Sequence, residues 1–388
     1  MYTLLITIFI IYAFIIFWAM IGYSLSLRLI NKYSKKPSII KDNNYEPTVT
    51  VMIVAHNEEK VIYDKLNNVI NLNYPKEKLE ILVSSDNSTD KTNAIVREFI
   101  KDNKDFIVRL YEVKERKGKT NAQNEAASTV KNEILIMTDA NAMLDKESIK
   151  ELVSVFSSEI IGYVTGRLKY VNAEDEWTSK SESSYWEWDL KMREIESNLH
   201  SVTAGNGALY ACRTLDYYEF DPIKSHDSAM PKHYVLQGKR AIYNKDAIAY
   251  EKAGAQVEDE FGRKVRMSRT ILSAIFSNIG LFNVFKYKWF SYCFFGHRYC
   301  RQNLWLAHLL VFFINIPLAF TDLLFKISLV IQVLFYLTAL LKHITKVDNK
   351  IINMTYYYSI TIIAQMVGAY RQLTGKSKPF WEKAESTR

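Results

Sequence analysis

Apolar residues follow two different patterns along the 388 residues, and these patterns separate the middle of the chain from its ends. Residues 1–27, 302–321 and 351–370 contain no charged side chain. About 20 predominantly apolar residues cross a bilayer, so these three segments predict membrane spans. A fourth apolar run, residues 327–341, is shorter and marginal by the same criterion.

The middle of the chain, residues 45–267, has a different pattern, in which short apolar runs alternate with segments of helical spacing. The runs are β-branched or aliphatic, which is typical of buried strands. Four strands are predicted at residues 48–55, 79–83, 106–112 and 133–141, and the segments that follow them predict helices. Strands that alternate with helices form a mostly parallel sheet, so the predicted fold class is α/β.

Polar side chains follow three of these strands where each strand ends. They are Asn57 and Glu58, Asp86 with Asp90, and Asp139 with Asn141. Ligands of parallel α/β sheets bind at the carboxyl ends of the strands, where oxygens of Asp139 and Asn141 would hold a divalent cation. The alternative is that these residues only cap helices or form turns, which is the interpretation we prefer for Asp90.

Charge and cysteine content narrow the setting of the domain. The net charge is +8, and much of it follows the first apolar segment at Arg28, Lys32, Lys35, Lys36 and Lys41. The positive-inside rule then predicts that residue 28 onward is cytoplasmic. The sequence contains no basic helix, zinc-finger pattern or aromatic RNA-binding motif, so nucleic acid is excluded as a partner. Three unevenly spaced cysteines indicate reduced thiols.

Four motifs, in this order, resemble the family 2 glycosyltransferases, and in particular their membrane-embedded branch of cellulose, chitin, hyaluronan and ceramide-glucose synthases. The motifs are His56-Asn-Glu-Glu, Ser85-Asp-Asn-Ser-Thr-Asp90, Gly118-Lys-Thr-Asn-Ala-Gln-Asn124 and Thr138-Asp-Ala-Asn141. The resemblance implies a GT-A fold and a nucleotide-sugar donor. It implies that Asn57, Glu58, Asp86, Lys119 and Asn124 bind this donor, and that Asp139 and Asn141 hold Mg²⁺ or Mn²⁺.

The resemblance continues into the second half of the domain. Residues 203–213 are similar to the family's acceptor segment, which implies acceptor contacts at Gly205, Gly207, Tyr210 and Arg213. A plain β-turn is the alternative for this glycine-containing stretch. Residues 225–231 align with the family's acidic motif, whose second position is the general base, here Asp227.

Three positions depart from the family pattern. His226 stands where the first acid of that motif is expected, and Asn141 replaces the second acid of an Asp-x-Asp pair. Arg263 and Arg266 match a diphosphate-binding motif, but Met267 stands in place of its tryptophan. The alternative for the two arginines is a basic patch against anionic lipid, and for His226 a surface histidine.

The layout after the domain predicts further contact with a membrane. Residues 268–300 mix aromatic, apolar and basic side chains, which is typical of interfacial amphipathic helices. Residues 301–371 contain the C-terminal spans, and residues 372–388 form a basic tail. Three spans after a cytoplasmic domain would leave this tail outside, against the positive-inside rule, so the number of full spans stays open.

The predicted function is therefore that of an inverting, metal-dependent membrane glycosyltransferase in the bacterial inner or plasma membrane. It would transfer a sugar from a UDP-linked donor to a lipid-linked or glycan acceptor, with membrane lipids and other polysaccharide or glycolipid assembly proteins as partners. A processive polysaccharide synthase is the first alternative, and the missing tryptophan at Met267 weakens it. A catalytically silent scaffold is the second, and a small transporter is disfavoured because three apolar segments lack charged residues.

Overall fold

One mixed sheet of eight strands organises the middle of the chain. The computed structural model describes residues 1–34, 39–172, 177–253, 257–276, 279–345 and 347–380. In chain order the strands are β1 (Val49–Ala55), β2 (Leu79–Ser85), β3 (Ile107–Glu112), β4 (Ile134–Asp139), β5 (Met143–Leu144), β6 (Ile161–Tyr170), β7 (Tyr210–Arg213) and β8 (Arg240–Glu251). Across the sheet their order is β3-β2-β1-β4-β7-β6-β8-β5. The four predicted strands and the α/β class are confirmed.

The direction of the strands changes halfway across the sheet. Strands β1 to β4 are parallel to one another, with Val49 opposite both Leu79 and Ile134. Strand β7 then pairs antiparallel with β4 and with β6, whereas β8 runs parallel to β6. Alternate residues of β1 and β4 pack into two separate apolar clusters, because successive side chains point to opposite faces of a strand.

The helices of the described residues complete the architecture. They are α1 (Tyr2–Phe17), α2 (Tyr23–Tyr33), α3 (Ile62–Ile70), α4 (Thr92–Asp102), α5 (Lys119–Ala127), α6 (Ser148–Val153), α7 (Trp177–Leu199), α8 (His226–Leu236), α9 (Val257–Met267), α10 (Ile271–Phe276), α11 (Val284–Tyr287), α12 (Trp289–Cys293), α13 (Cys300–Gln302), α14 (Leu304–Leu318), α15 (Leu323–Thr345) and α16 (Lys350–Leu373). Two π-helical segments, Trp18–Gly22 and Phe294–Tyr299, continue α1 into α2 and α12 into α13.

Contacts divide the chain into two compact units. The sheet unit comprises Ser34–Ala173, Trp186–Ala253 and Lys378–Arg388. The helical unit comprises Met1–Tyr33, Glu174–Tyr185 and Gly254–Ser377. Helix α9 belongs to the helical unit, whereas the sequence-based boundary at residue 267 placed it with the sheet.

Two helices of the described residues are long and apolar enough to cross a membrane. They are the continuous helix Tyr2–Tyr33 and Leu323–Thr345, and few of their residues are fully buried by other parts of the chain. The second contains the apolar run that looked marginal in the sequence, because the helix extends beyond that run at both ends. Helix α14 is shorter, with 15 residues, and its Pro317 lies near its end. These findings concern the length and composition of the helices only.

The three cysteines agree with the prediction of reduced thiols. Cys212, Cys293 and Cys300 are free and buried. Cys212 lies in β7 within the apolar cluster on one face of the sheet. Its burial raises the pKa of the thiol to about 12, so it is inert and structural.

Candidate active site

The carboxyl ends of β1, β2 and β4 meet at one edge of the sheet. The chain passes from β1 outward to β2 and β3 and then returns to the other side of β1 as β4. The loops after β1 and β4 therefore diverge, which creates a crevice of the kind where α/β sheets bind ligands. Strand β7 is antiparallel to β4, with Tyr210 opposite Met137, so the segment before β7 reaches the same edge.

A lysine and an aspartate form an ion pair at the centre of this edge. Lys119 is the first residue of α5, and its ammonium donates to the carboxylate of Asp139 at the end of β4. Gly118 caps α5 with φ of +96°, a conformation that suits glycine. Both members of the pair are about one quarter exposed, at 25% and 29%, so a ligand can reach them.

Gly207 brings the segment before β7 against this ion pair. A Cβ atom at position 207 would lie 3.0 Å from Asp139 Oδ2 and 3.1 Å from Lys119 Nζ. The backbone therefore approaches the two charged groups closely because no side chain intervenes. The Thr138-Asp-Ala-Asn motif and the glycine-containing segment therefore meet here.

Asp86 shapes the loop that leads to Lys119. Its carboxylate accepts hydrogen bonds from the backbone N–H groups of Lys117, at 3.2 Å, and Gly118, at 3.0 Å. The side chain is 3% exposed. Burial raises the pKa of Asp86, and the two backbone N–H bonds partly oppose that rise. Asp86 thus lies beside the predicted donor site and fixes the backbone there.

Asn57 and Asp90 hold the loops after β1 and β2 together. Asn57 has a positive φ of 55°, and its Oδ1 accepts from the N–H of Thr89 at 2.8 Å. Asp90 Oδ1 accepts from the N–H of Thr92, the first residue of α4, at 2.9 Å, so Asp90 bonds to the start of that helix from the loop before it. Glu58 is 6% exposed, and its N–H donates to Thr92 Oγ1 at 2.8 Å. These contacts support the crevice from one side.

Asn141 has a carboxylate neighbour that the sequence did not reveal. Its Nδ2 donates to Oε1 of Glu251 at 2.7 Å. Glu251 is the last residue of β8. Strands β4 and β6 both pair antiparallel with β7, and β8 is parallel to β6, so β8 ends at the same edge as β4. A second acid therefore lies beside the loop after β4, supplied by another strand. No motif spacing links residues 141 and 251, so only the sheet register reveals this neighbour.

A buried lysine lies beneath the same loop. Lys65 is 0% exposed, and its ammonium donates to Thr138 Oγ1 at 3.0 Å and to the carbonyl of Ala142. The sequence carried a signal for it. Lys65 falls three residues after Ile62 and four before Val69, so helical periodicity places it on the apolar face of α3.

Asp227 lies in the first turn of α8 and is tied to the glycine-containing segment. Its carboxylate accepts from Ser225 Oγ at 2.5 Å, and its carbonyl accepts from the N–H of Gly205 at 2.7 Å. The pKa of the buried Tyr210 is raised by its burial and then by the nearby charges of Asp227 and Asp139, among others. Both carboxylates therefore lie near Tyr210.

His226 is buried and is not a surface histidine. It is 2% exposed, and its Nε2 lies 3.1 Å from Asn124 Oδ1, which also accepts from Tyr217 at 2.9 Å. Asn124 Nδ2 donates to the carbonyl of Phe220 at 2.7 Å, so Oδ1 is the acceptor and His226 carries its proton on Nε2. Burial lowers the pKa of His226 to about 3, with a further contribution from Lys119, so the ring is neutral.

This network also changes the interpretation of Asn124. Its amide is 6% exposed and bonds to three residues of the segment before and at the start of α8. We therefore assign Asn124 to holding that segment rather than to direct contact with the donor. Five residues along α5 from Lys119, it points to another side of the helix.

The structure does not bring Tyr210 and Arg213 to the crevice. Tyr210 is 1% exposed and its hydroxyl accepts from Gln123 Nε2 at 2.7 Å. Arg213 lies opposite Ile134, at the amino end of β4, and donates to the carbonyl of Phe156. Gly205 packs against Tyr163, whose hydroxyl would collide with a Cβ atom at that position. Of the four predicted acceptor residues, Gly207 is the one beside the ion pair.

Arg263 and Arg266 lie on α9 in the helical unit. Arg263 donates to Glu260 Oε2 at 2.7 Å and lies 3.0 Å from Glu182 Oε1. Glu260 also accepts from Tyr357 of α16 at 2.9 Å, so this cluster anchors α9 on α16. Within the described residues Arg263 therefore has carboxylate partners, and its role toward a diphosphate stays a prediction, as does that of Arg266.

The edge of the sheet offers a partial set of ligands for a cation whose coordination shell would be completed by the substrate. Among the described residues, no group of three or more His, Cys, Asp or Glu side chains is arranged to hold a metal ion. Mg²⁺ is often bound through one or two carboxylates together with substrate phosphates and water. Asp139 and the amide oxygen of Asn141 are such a partial set, so the residues suit a cation that arrives with a diphosphate.

A sequence profile identifies the family of the domain that contains this edge. The profile described as glycosyl transferase family 2 matches residues 50–213, which include β1 to β4 and end with β7. The chain contains a family 2 glycosyltransferase domain. The match ends before Asp227 and Glu251, so those two residues are placed by the structure alone.

Three curated relatives share this glycosyltransferase domain. A β-monoglucosyldiacylglycerol synthase of Nostoc sp. strain PCC 7120 is 29% identical over 172 residues, which are 44% of this chain and 37% of that protein. The probable glycosyltransferase YdaM of Bacillus subtilis is 38% identical over 130 residues, 33% of this chain and 31% of YdaM. A poly-β-1,6-N-acetyl-D-glucosamine synthase of Staphylococcus aureus is 31% identical over 140 residues, 36% of this chain and 32% of that enzyme. The chain thus spans about a third of these relatives.

A solved structure extends the similarity of fold beyond the family 2 domain. A mannosyltransferase of Pyrobaculum calidifontis, in complex with GDP-Man and Mn²⁺, superimposes with a TM-score of 0.74. The alignment covers 96% of this chain and 99% of that one at 21% sequence identity. The sheet unit therefore has the predicted GT-A fold, flanked by helices.

Proposed function

We propose that the protein is a membrane glycosyltransferase that transfers a sugar from a nucleoside diphosphate donor to a lipid-linked or glycan acceptor. The observation that carries this proposal is the meeting of Lys119, Asp139 and Gly207 at the carboxyl edge of a family 2 domain. A diphosphate needs cationic groups and close backbone approach, and both are present there.

The donor is proposed to lie along the crevice with its diphosphate at the ion pair. Lys119 exchanges its contact with Asp139 for one with the diphosphate, and Asp139 becomes free to bind the cation. Asp139, with Asn141, would hold Mg²⁺ or Mn²⁺, which when bound neutralises charge on the leaving diphosphate. UDP is the nucleotide that the sequence resemblance implies, and the Pyrobaculum mannosyltransferase with GDP-Man makes guanosine donors the first alternative to test.

Asp227 is proposed as the general base. The carbonyl of Asp227 accepts from the N–H of Gly205, which precedes Gly207 by two residues in the chain. The hydrogen bond from Ser225 orients the carboxylate of Asp227. The carboxylate takes the proton of the acceptor hydroxyl while that oxygen attacks the anomeric carbon. The bond from that carbon to the diphosphate breaks in the same displacement, so the configuration inverts.

The acceptor is proposed to come from the membrane. Helices Tyr2–Tyr33 and Leu323–Thr345 have the length and composition of membrane spans. One relative makes a glycolipid and another a polysaccharide, as their names state. A lipid-linked acceptor fits both the helices and the glycolipid relative, whereas a processive synthase is the candidate that the second relative favours.

A donor and product assay on the purified full chain in lipid nanodiscs tests this function. UDP-linked and GDP-linked donors that carry a labelled sugar are supplied together with a membrane lipid extract. We then measure the release of nucleoside diphosphate, the amount of labelled sugar in the lipid phase and the size of the product. Release should require Mn²⁺ or Mg²⁺ and stop with a chelator. A single labelled lipid product indicates one transfer, whereas a size ladder indicates a polymer.

Substitution of the base sharpens this assay. Asp227→Asn should lower transfer by about 10²–10⁴-fold, because general base catalysis contributes that much, while donor binding persists. Asp221→Asn is the matched control, since Asp221 lies in the segment before α8 and its carboxylate accepts from the N–H of Ile223 at 3.0 Å. If the wild type releases no nucleoside diphosphate from any donor, the proposed function is wrong, and if Asp227→Asn transfers as fast as the wild type, Asp227 is not the base.

A further inference from the structure

The buried lysine beneath the loop after β4 is the feature that the proposed reaction leaves unused. Lys65 is 0% exposed on α3, where its neighbours on the same face are Ile62, Leu66 and Val69. Removing an ammonium group from water is costly unless it is well bonded. An apolar residue at this position would pack against the sheet without that cost.

The bonds of Lys65 enclose the loop that carries Asp139. Its ammonium donates to Thr138 Oγ1 at 3.0 Å on one side of Asp139 and to the carbonyl of Ala142 on the other. The loop is further closed by a bond of 3.2 Å from the N–H of Ala142 to the carbonyl of Asp139. Both ends of residues 138–142 are thus fixed to one group on a helix.

The same group reaches the glycine-containing segment through one intermediate. Thr138 Oγ1 accepts from Lys65 and donates to the carbonyl of Ala208 at 2.7 Å. Ala208 follows Gly207, whose backbone lies against Asp139 and Lys119. The chain of bonds therefore couples α3, the end of β4 and the segment before β7 at the candidate site.

The charges around Lys65 are consistent with this placement. Its two bonded acceptors are uncharged, and burial lowers the pKa of Lys65 to about 7, while the charges of Asp139 and Glu251 partly oppose the decrease. Glu251 in turn accepts from Asn141 in the middle of the loop. Thr138, Asp139, Asn141 and Ala142 are thereby each bonded to a neighbouring element.

We propose that Lys65 is a positioning residue that holds residues 138–142 in the geometry with which Asp139 meets the cation and the diphosphate. This inference rests on the proposed function. Lys65 acts through Thr138 and Ala142, so it touches neither the cation nor the substrate. Losing it would leave two buried acceptors without their donor and allow the loop to shift.

Lys65→Met tests the proposal, because methionine keeps a long side chain and removes the donor. Asn68→Ala is the matched control. Asn68 lies on the same helix and bonds through its amide to both the carbonyl and the N–H of Leu144, beyond the loop. Lys65→Arg retains a cationic side chain with N–H donors, so it should retain part of the Mn²⁺ affinity and of the exchange protection that Lys65→Met loses.

Two measurements follow for all variants. The first is the affinity of the full chain for Mn²⁺ in the presence of UDP or GDP, by calorimetry. The second is amide hydrogen exchange over residues 134–146. Lys65→Met should weaken Mn²⁺ binding at least tenfold and speed exchange at residues 138–142. Asn68→Ala should keep Mn²⁺ affinity within twofold, even where its thermal stability falls.

The outcomes separate this inference from the proposed function. If Lys65→Met keeps wild-type exchange over residues 138–142, Lys65 does not position the loop. If exchange rises but Mn²⁺ affinity does not change, Lys65 is structural only and the proposal fails. If the wild type binds neither nucleotide with any divalent cation, the proposed function fails, while the exchange measurement still decides whether Lys65 holds the loop.

Discussion

A single added methyl group at Gly207 should reduce transfer without unfolding the protein. In Gly207→Ala the new Cβ atom would lie 3.0 Å from Asp139 Oδ2 and 3.1 Å from Lys119 Nζ, whereas ordinary contacts begin at 3.4 Å. The two charged groups must therefore retreat by a few tenths of an ångström. Both are ends of movable side chains, so the cost in stability should stay near the lower end of overpacking, about 1 kcal/mol.

The cost in rate should be larger than the cost in stability suggests. A misplacement of 1 Å at a reacting centre costs about 10²-fold, so a displacement of 0.4 Å corresponds to about sixfold on a logarithmic scale. The decrease should occur in kcat, with a smaller change in the apparent affinity for Mn²⁺. Initial rates of nucleoside diphosphate release, measured beside the thermal unfolding midpoint, provide both quantities.

Two other glycines provide controls of opposite kind. In Gly205→Ala the Cβ atom would lie 1.8 Å from the hydroxyl oxygen of buried Tyr163, so this variant should lose folding. Gly262 lies inside α9 with no atom within 4 Å, so Gly262→Ala should stabilise that helix by about 0.5–1 kcal/mol. A wild-type rate and Mn²⁺ response in folded Gly207→Ala would refute the assignment of Lys119 and Asp139 to the diphosphate site.

Two further predictions concern the surroundings of the site. His226 is neutral in the folded state, so its contribution to the free energy of unfolding should be complete above pH 6.5 and should fall as the pH drops toward 3, by about 2 kcal/mol at pH 5. The variant His226→Gln should flatten this pH dependence of the free energy of unfolding, measured by urea titration. An unchanged pH dependence would contradict the buried neutral ring. The guanidinium of Arg116 lies 5.0 Å from the ring centre of Phe380, while the carbonyl of Pro379 packs against Gly118. A double-mutant cycle of Arg116→Ala and Phe380→Ala, read in donor affinity, should therefore yield a coupling of about 0.5–1 kcal/mol, and strict additivity would show that this segment does not support the loop.

Much of the sheet half of the site could be predicted from sequence. Buried parallel strands are continuous apolar runs, and polar residues after such a run fall at the ligand-binding edge. That rule alone brought Asp86 and Asp139 to one edge, and the structure adds Lys119 as the partner of Asp139. The rule needs no knowledge of pairing, because every strand in a parallel sheet ends at the same side.

The second half could not be predicted in the same way because the sheet there is mixed, with β7 antiparallel to both of its neighbours. Strand β7 runs antiparallel to β4, so each residue after Tyr210 lies about 3.3 Å farther from the edge. Gly207 precedes the strand and stays at the site, whereas Arg213 ends it at the far side. Motif order contains no information about strand direction, so it assigned both residues to the acceptor.

Motif order also contains no information about strand pairing, and this hid the partner of Asn141. The partner explains why a neutral amide occupies the position. The amide of Asn141 donates to Glu251, whereas a carboxylate there would face a second anion at hydrogen-bond distance. Like charges at such a distance favour protonation of one of them. The neutral residue avoids that repulsion, and Glu251 adds an acid near Lys65 at the edge. The departure from Asp-x-Asp is thus matched by an acid that arrives on β8, and it does not by itself indicate a silent scaffold.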